Sequence, residues 1–293
     1  MVSEPLRARK DADGDVKRDL EFPPLPEPLT VPVYDNHTHL EIADGENPLA
    51  PEENLRRAVE VGIKGVVQVG TDLETSRWSA DLAERDPRVL AAVAIHPNEA
   101  PRLAERGVLD EHIAGIAELA TRDRVRAVGE TGLDFFRTDE PGRAPQLHSF
   151  EAHIDIAKTN GLALQIHDRD AHGAVVDTLL RVGAPEKTVF HCFSGDEELA
   201  RICADHGWYM SFSGTVTFGN AKGIRAALSI APRELVLVET DAPFLTPTPF
   251  RGRPNGSYLV PLTLRFMAEH LGVSVDELGT DVARNTETVY GTW

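Results

Sequence analysis

Eight short apolar runs, most of them rich in β-branched residues, recur from Val31 onward and are separated by segments of helical periodicity. The runs are Val31–His37, Ile63–Gly70, Val89–Ile95, Val125–Gly129, Leu162–His167, Thr188–His191, Trp208–Ser213 and Leu235–Glu239. Between them lie stretches such as Ala144–Asn160, where Leu147, Phe150, Ile154 and Ala157 fall on one helical face. Strands with helices on every side are parallel and buried on both faces, so they read as continuous apolar runs and not as alternating ones. Eight such units predict an α/β chain folded as one (β/α)₈ TIM barrel, which takes about 250 residues. An open doubly wound sheet is the alternative. No internal repeat is evident, and no Gly-rich phosphate loop follows any strand.

The barrel domain is expected over residues 31–293. Residues 1–30 hold five prolines and a charged run without apolar periodicity, which predicts a short disordered or loosely attached extension. Within it, Asp11-Ala12-Asp13-Gly14-Asp15 resembles a calcium loop, but its glycine comes early and Phe22 stands where the twelfth-position glutamate belongs. No apolar run approaches the ~20 residues of a membrane span, and no secretory signal opens the chain, so the expected location is the cytoplasm. Cys192 and Cys203 are too few for a disulfide framework. A net charge of −17 argues against gripping long nucleic acid through a broad basic surface. Bound divalent cations would escape that count and engage an anionic substrate locally.

Residues able to bind metal stand at the C-terminal ends of nearly all the strands, the face on which barrels build active sites. His37 and His39 follow the first strand, His96 the third, Glu130 the fourth, His167 the fifth, His191 the sixth and Asp241 the eighth. Of eleven histidines these five sort to strand ends, while His112, His148, His153, His172, His206 and His270 fall in helices or loops. His37 and His39 are two apart in an extended strand, so both imidazoles face one side and can share an ion. An isolated His-x-His is often fortuitous, and a lone strand-end histidine often satisfies a loop carbonyl; the weight lies in the joint placement. Glu130 ends an apolar strand beside two glycines, and its two oxygens can bridge two ions. Asp241 can bind an ion and accept a proton from water. Pro243 and Pro247 argue against a following helix for it to cap.

Competing chemistries are poorly supported. No Gly-x-Ser-x-Gly elbow occurs, and Ser213 has no base following it. Cys192 directly follows His191, and adjacent strand residues point to opposite sides, which assigns Cys192 to the barrel wall.

The blocks Asp35-Asn36-His37-Thr38-His39-Leu40, Ile95-His96-Pro97, Val128-Gly129-Glu130-Thr131-Gly132-Leu133-Asp134, His167-Asp168-Arg169-Asp170-Ala171, His191-Cys192-Phe193-Ser194-Gly195, Ser211-Phe212-Ser213-Gly214 and Glu239-Thr240-Asp241-Ala242-Pro243 stand in order along the chain. From about Val33 to its end the sequence resembles the TatD-type metal-dependent deoxyribonucleases of the metal-dependent hydrolase superfamily. The resemblance implies metal ligands His37, His39, Glu130, His167, His191 and Asp241, with Glu130 bridging two divalent ions, and 3′-to-5′ exonuclease or related phosphodiester hydrolysis. DNA, single-stranded or at an end, is the partner expected, with no membrane and no stable protein partner. Asp241 and Glu130 are the catalytic candidates, Asp241 taking or positioning the proton of the attacking water in an in-line displacement. His96, Arg169, Arg251 and Arg253 are placed to contact phosphate, the arginines through their planar forks or else as solvated surface charges. The ligand types suit Zn or Mn, and phosphodiester chemistry draws towards Mg or Mn, so Mg, Mn and Zn are the candidate ions. The same ligands would also serve a small-molecule amide, lactone or phosphoester hydrolase, or a metal-binding protein without catalysis. One departure from the family pattern is Gly256-Ser257, where Glu-Pro commonly follows Asn255, in a loop expected to line the substrate groove.

Overall fold

The computed structural model describes residues 4–9 and 18–293, so the fragment Asp11 to Asp15 lies outside the described residues. Eight parallel strands follow one another around the sheet: β1 (Val33–Thr38), β2 (Ile63–Val69), β3 (Val89–Val93), β4 (Val125–Asp134), β5 (Ala163–Arg169), β6 (Thr188–Phe190), β7 (Tyr209–Phe212) and β8 (Val236–Val238). The Asn36 side chain donates to Val238 O at 2.7 Å, Asp241 N–H to His37 O at 3.0 Å and His39 N–H to Ala242 O at 2.8 Å, which joins β8 to β1 and closes the barrel. Helices pack around the outside, and their apolar faces form the larger core with Val66, Val89, Ala91, Val93 and Val128. Val67, Val69, Leu90, Ala92, Ala127, Ala163, Val189 and Leu237 point inward and pack on Tyr290 from the last helix.

The largest boundary difference is β4, which was expected to end at Gly129. Its pairing with β5 continues to Asp134 opposite Arg169, so Glu130 and Asp134 both lie within the strand. Gly132 permits this close approach, since a Cβ there would stand 2.1 Å from His167 O.

Above the apolar floor the barrel interior is polar and hydrogen-bonded. Gln165 donates to Asn36 O at 2.8 Å and to Tyr290 Oη at 2.7 Å, and Asn36 donates to Ser211 Oγ at 2.8 Å. Small inward residues such as Ala92, Ala127 and Ala163 leave room for these longer side chains.

The described parts of the N-terminal extension are attached to the barrel. Arg7–Ala8 pairs in parallel with Ile42–Ala43, and Arg9 and Arg18 both bind Asp44. Leu29 is buried, and the buried Tyr258 donates to Pro23 O at 2.8 Å. Low apolar content concealed this because backbone carbonyls make much of the attachment: Arg265 donates to Glu27 O and Pro28 O.

The helix Glu140–Asn160 begins earlier than its periodicity predicts, with Pro145 inside it. Its core face carries Phe150, Ile154 and Ala157 as expected, together with buried Gln146, Ser149 and His153. His153 accepts from Ile95 N–H at 3.0 Å through Nε2 and donates to Ser149 O at 2.6 Å through Nδ1. Burial lowers its pKa to about 4, against the smaller opposing effect of the Ser149 carbonyl. A depressed histidine pKa contributes stability that is present above the unfolded value of about 6.5 and lost as pH falls towards 4. Wild-type protein is expected to lose about 3 kcal/mol more than His153→Gln between pH 7 and pH 4. Urea unfolding at the two pH values measures this, and equal losses in both proteins would remove His153 from the acid response.

Candidate metal centre

Each candidate side chain is held at the mouth of the barrel by its strand. His37 and His39 leave the end of β1 on the same side, and their Nε2 atoms lie 3.3 Å apart. His39 Nδ1 donates to Val69 O at 2.9 Å, which directs Nε2 into the site. His191 follows β6 and has Glu239 Oε1 at 3.3 Å from its Nδ1, so its Nε2 also faces inward. His167 is the reverse case: Nε2 lies 3.2 Å from Asp134 Oδ2, and Nδ1 faces Glu130. Asp134 is held in turn by Asn98 and by the Arg137 N–H.

Glu130 stands between two groups of imidazoles. Its Oε1 lies 2.7 Å from His167 Nδ1, 3.0 Å from His191 Nε2 and 3.3 Å from His96 Nε2. Its Oε2 lies 3.6 Å from both His37 Nε2 and His39 Nε2. Asp241 Oδ1 completes the second side, 3.5 Å from His39 Nε2 and 3.8 Å from His37 Nε2. Three overlapping donor groups result: His37, His39 and Asp241; His37, Glu130 and His191; His96, Glu130 and His167.

The field of these carboxylates favours positive charge at their centre. Burial opposes protonation of His191, but the charge of Glu130 and hydrogen bonds to Glu130 and Glu239 outweigh it and raise its pKa well above the usual value. His39 is likewise disfavoured by burial, yet Asp241, Glu41 and Glu130 lift it to about 9. Burial would raise Glu130, but the charges of His191 and His96 and the hydrogen bonds from His167 and His191 hold it well below the carboxylate range. Imidazole nitrogens and carboxylate oxygens converging under such a field are a donor set that fits divalent transition metals.

The structure thus brings together His37, His39, Glu130, His167, His191 and Asp241. It also places His96, expected at the phosphate, within the same donor cluster. Sequence reasoning missed Glu239 and Asp134 behind the histidines, and Glu41, which accepts from Gln68 and Arg7 beside His39. Glu239 and Asp134 carried a signal, for each lies within a block already singled out. Asp35, fully buried, accepts from Thr240 N–H and Oγ1 at 2.9 and 2.6 Å. Burial raises its pKa to about 7, against those hydrogen bonds.

Three expectations are corrected. Arg253 binds the carbonyls of Glu21 and Phe22 and the carboxylates of Asp19 and Glu21, so the N-terminal segment and not substrate occupies its fork. Cys192 is not barrel wall: β6 ends at Phe190, strand alternation stops there, and Cys192 adopts φ 41° with Sγ 3.3 Å from Ser213 Oγ. Burial, then the charges of Asp241 and Glu239, raise its thiol pKa well above normal, which keeps it a poor nucleophile. Gly256 and Ser257 are buried and do not line a groove. A Cβ at Gly256 would meet the Tyr258 ring at 2.9 Å, and Asn255 holds Thr240 O from the same turn. Arg169 and Arg251 lie over the rings of Phe136 and Phe218, at 4.0 and 4.2 Å from the centroids. Among the described residues no helix is long and apolar enough to cross a membrane.

Known proteins match this chain along most of its length. The family model described as TatD related DNase matches residues 34–291. The metal-dependent hydrolase TatD of Mycobacterium tuberculosis is 41% identical over 266 residues, covering 88% of this chain and 98% of that protein. The metal-dependent hydrolase YabD of Bacillus subtilis is 34% identical, again over 88% and 98% of the two chains. Among solved structures, the TatD homologue YjjV of Escherichia coli superposes with a TM-score of 0.79 at 27% identity, over 88% of this chain and 97% of its own. The match begins at residue 34, so the attached N-terminal segment lies outside it. A closed eight-stranded barrel with histidines and carboxylates gathered at its mouth, matched along nearly its whole length, belongs to the TatD-related DNase family of metal-dependent hydrolases.

Proposed function

We propose that this hydrolase cleaves phosphodiester bonds at the end of a DNA strand, from the 3′ side, using two divalent cations that Glu130, its surrounding histidines and Asp241 would hold. The observation that carries the reading is the division of labour within Glu130, whose Oε1 faces His167, His191 and His96 while Oε2 faces His37 and His39. Paired cations ~3.5–4 Å apart are a recurrent solution for in-line phosphodiester displacement. When bound, they supply Lewis-acid polarisation of the phosphoryl oxygens and a lowered pKa for water. His37, His39 and Asp241 would hold one, His167, His191 and His96 the other.

The protein's own groups orient these donors. Val69 O fixes the His39 tautomer, Glu239 backs His191 and Asp134 backs His167. Asp241, at 14% side-chain exposure, is open enough to the mouth to accept the proton of an attacking water at its carboxylate. Arg169 stands on the rim two residues beyond His167, where its guanidinium can meet a phosphate. A net charge of −17 supports local engagement of a strand end over wrapping of a duplex.

The test is protein stripped of metal and supplied separately with Mg, Mn or Zn, incubated with single-stranded DNA labelled at its 5′ end. Stepwise shortening that requires added metal is expected. Full metal loading without shortening of any DNA would move the assignment to a small-molecule ester or amide substrate.

A further inference from the structure

We infer that Phe136 and Arg169 form a nucleotide platform on the rim, with the phenyl ring stacking an unpaired base and the guanidinium contacting its phosphate. This rests on the phosphodiesterase reading and deepens it by giving two rim residues a role in holding the strand end.

Three observations place the pair beside the chemistry. Phe136 lies two residues beyond Asp134, whose carboxylate holds His167 Nε2 at 3.2 Å. Arg169 lies two residues beyond His167 on β5, so the two side chains leave the strand on the same side. The backbone joins them, since Asp134 pairs with Arg169 in register and Phe135 N–H donates to Arg169 O at 2.9 Å.

The chemistry of the pair is incomplete without a ligand. Phe136 is 60% exposed although Arg169 lies over its ring with Cζ 4.0 Å from the centroid. With one face under the guanidinium, that exposure belongs to the edge and the opposite face, where a base can stack. Among the described residues the Arg169 side chain has no hydrogen-bond or ion-pair partner, unlike Arg7, Arg18 and Arg253 on the same end of the barrel. With its Cζ over the ring and its N–H groups unpaired among the described residues, the Arg169 guanidinium is able to meet phosphate oxygens bidentately. Base stacking on an exposed aromatic is tolerant of sequence and requires an unstacked base, which selects single strands and frayed ends over duplex.

The experiment compares an oligothymidylate with an abasic deoxyribose-phosphate oligomer of equal length, measuring both binding and metal-dependent cleavage. Wild type, Phe136→Ala, Phe136→Trp and Arg169→Gln are run together. Phe136 is exposed and off the core, and thermal melting checks each variant's fold. The preference for the base-bearing oligomer is expected to fall about 10-fold in Phe136→Ala and to return in Phe136→Trp. Arg169→Gln is expected to weaken binding of both oligomers alike, because its contact is to the backbone. Cleavage by wild type with an unchanged preference in Phe136→Ala would overturn the platform and leave the nuclease reading standing. Binding with a Phe136-dependent preference, but no cleavage with any metal, would support the platform and overturn the nuclease reading. Neither binding nor cleavage by wild type would overturn both.

Discussion

Replacing Asp241 by Asn is expected to lower kcat about 10³-fold while leaving the fold intact. The barrel seam at this point is made by the backbone, with Asp241 N–H on His37 O at 3.0 Å and Phe244 N–H on Asp241 O at 2.9 Å, so neither contact uses the side chain. The residue adopts φ 54°, a left-handed conformation that asparagine tolerates as aspartate does. The asparagine oxygen can still meet a cation, so the substitution removes the carboxylate charge and with it the capacity to take a proton, and general-base catalysis contributes typically 10²–10⁴-fold. Single-turnover rates at saturating metal, with metal content and melting temperature measured alongside, separate this from a folding or loading defect. A rate within about 10-fold of wild type would show that another group accepts the proton.

The second large effect is expected from Glu130→Gln, which removes the carboxylate facing five imidazoles. Activity should fall by at least about 10³-fold and the bound metal should drop sharply, beyond the 10–100-fold that loss of a supporting partner brings. The variant should also be less stable in chelator. His191 has a folded pKa raised by Glu130, so it contributes stability that is fully present below the unfolded value and lost as pH rises through the folded one. The penalty of Glu130→Gln is therefore greatest near pH 6, about 3–5 kcal/mol for breaking a buried pair, and shrinks in alkali as His191 sheds its proton. Denaturant unfolding in chelator at pH 6 and pH 9 checks both size and sign. A penalty independent of pH would mean that packing, and not charge, accounts for Glu130's place.

Much of the frame and of the donor set was legible before any coordinates. Apolar runs such as Val66–Val69 and Val89–Val93 announce buried strands because a strand covered on both faces has no polar side to show. Histidines at the ends of β1, β5 and β6 announce a shared site because parallel strands in a barrel deliver their C-terminal ends to one face. What stayed hidden depends on contacts between residues far apart in the chain. Glu239 becomes the partner of His191 only when β8 and β6 both reach the mouth, a contact spanning 48 positions. Arg253 gives no sign in its own loop that residues 19–22 will occupy it. Cys192 misled because alternation holds only while the strand lasts, and this one ends two residues earlier.

By itself the sequence determined the architecture and the chemical type of the centre, because strand and helix periods and the spacing of metal-binding residues are local properties written in short windows. Only the tertiary structure decided how the donors divide around Glu130, that His96 joins them, that Glu239 and Asp134 stand behind them, and that the described parts of the N-terminal segment lie against the barrel. Those features arise from distances across a closed barrel, where hydrogen bonds and charge interactions depend on three-dimensional neighbours that no local pattern specifies.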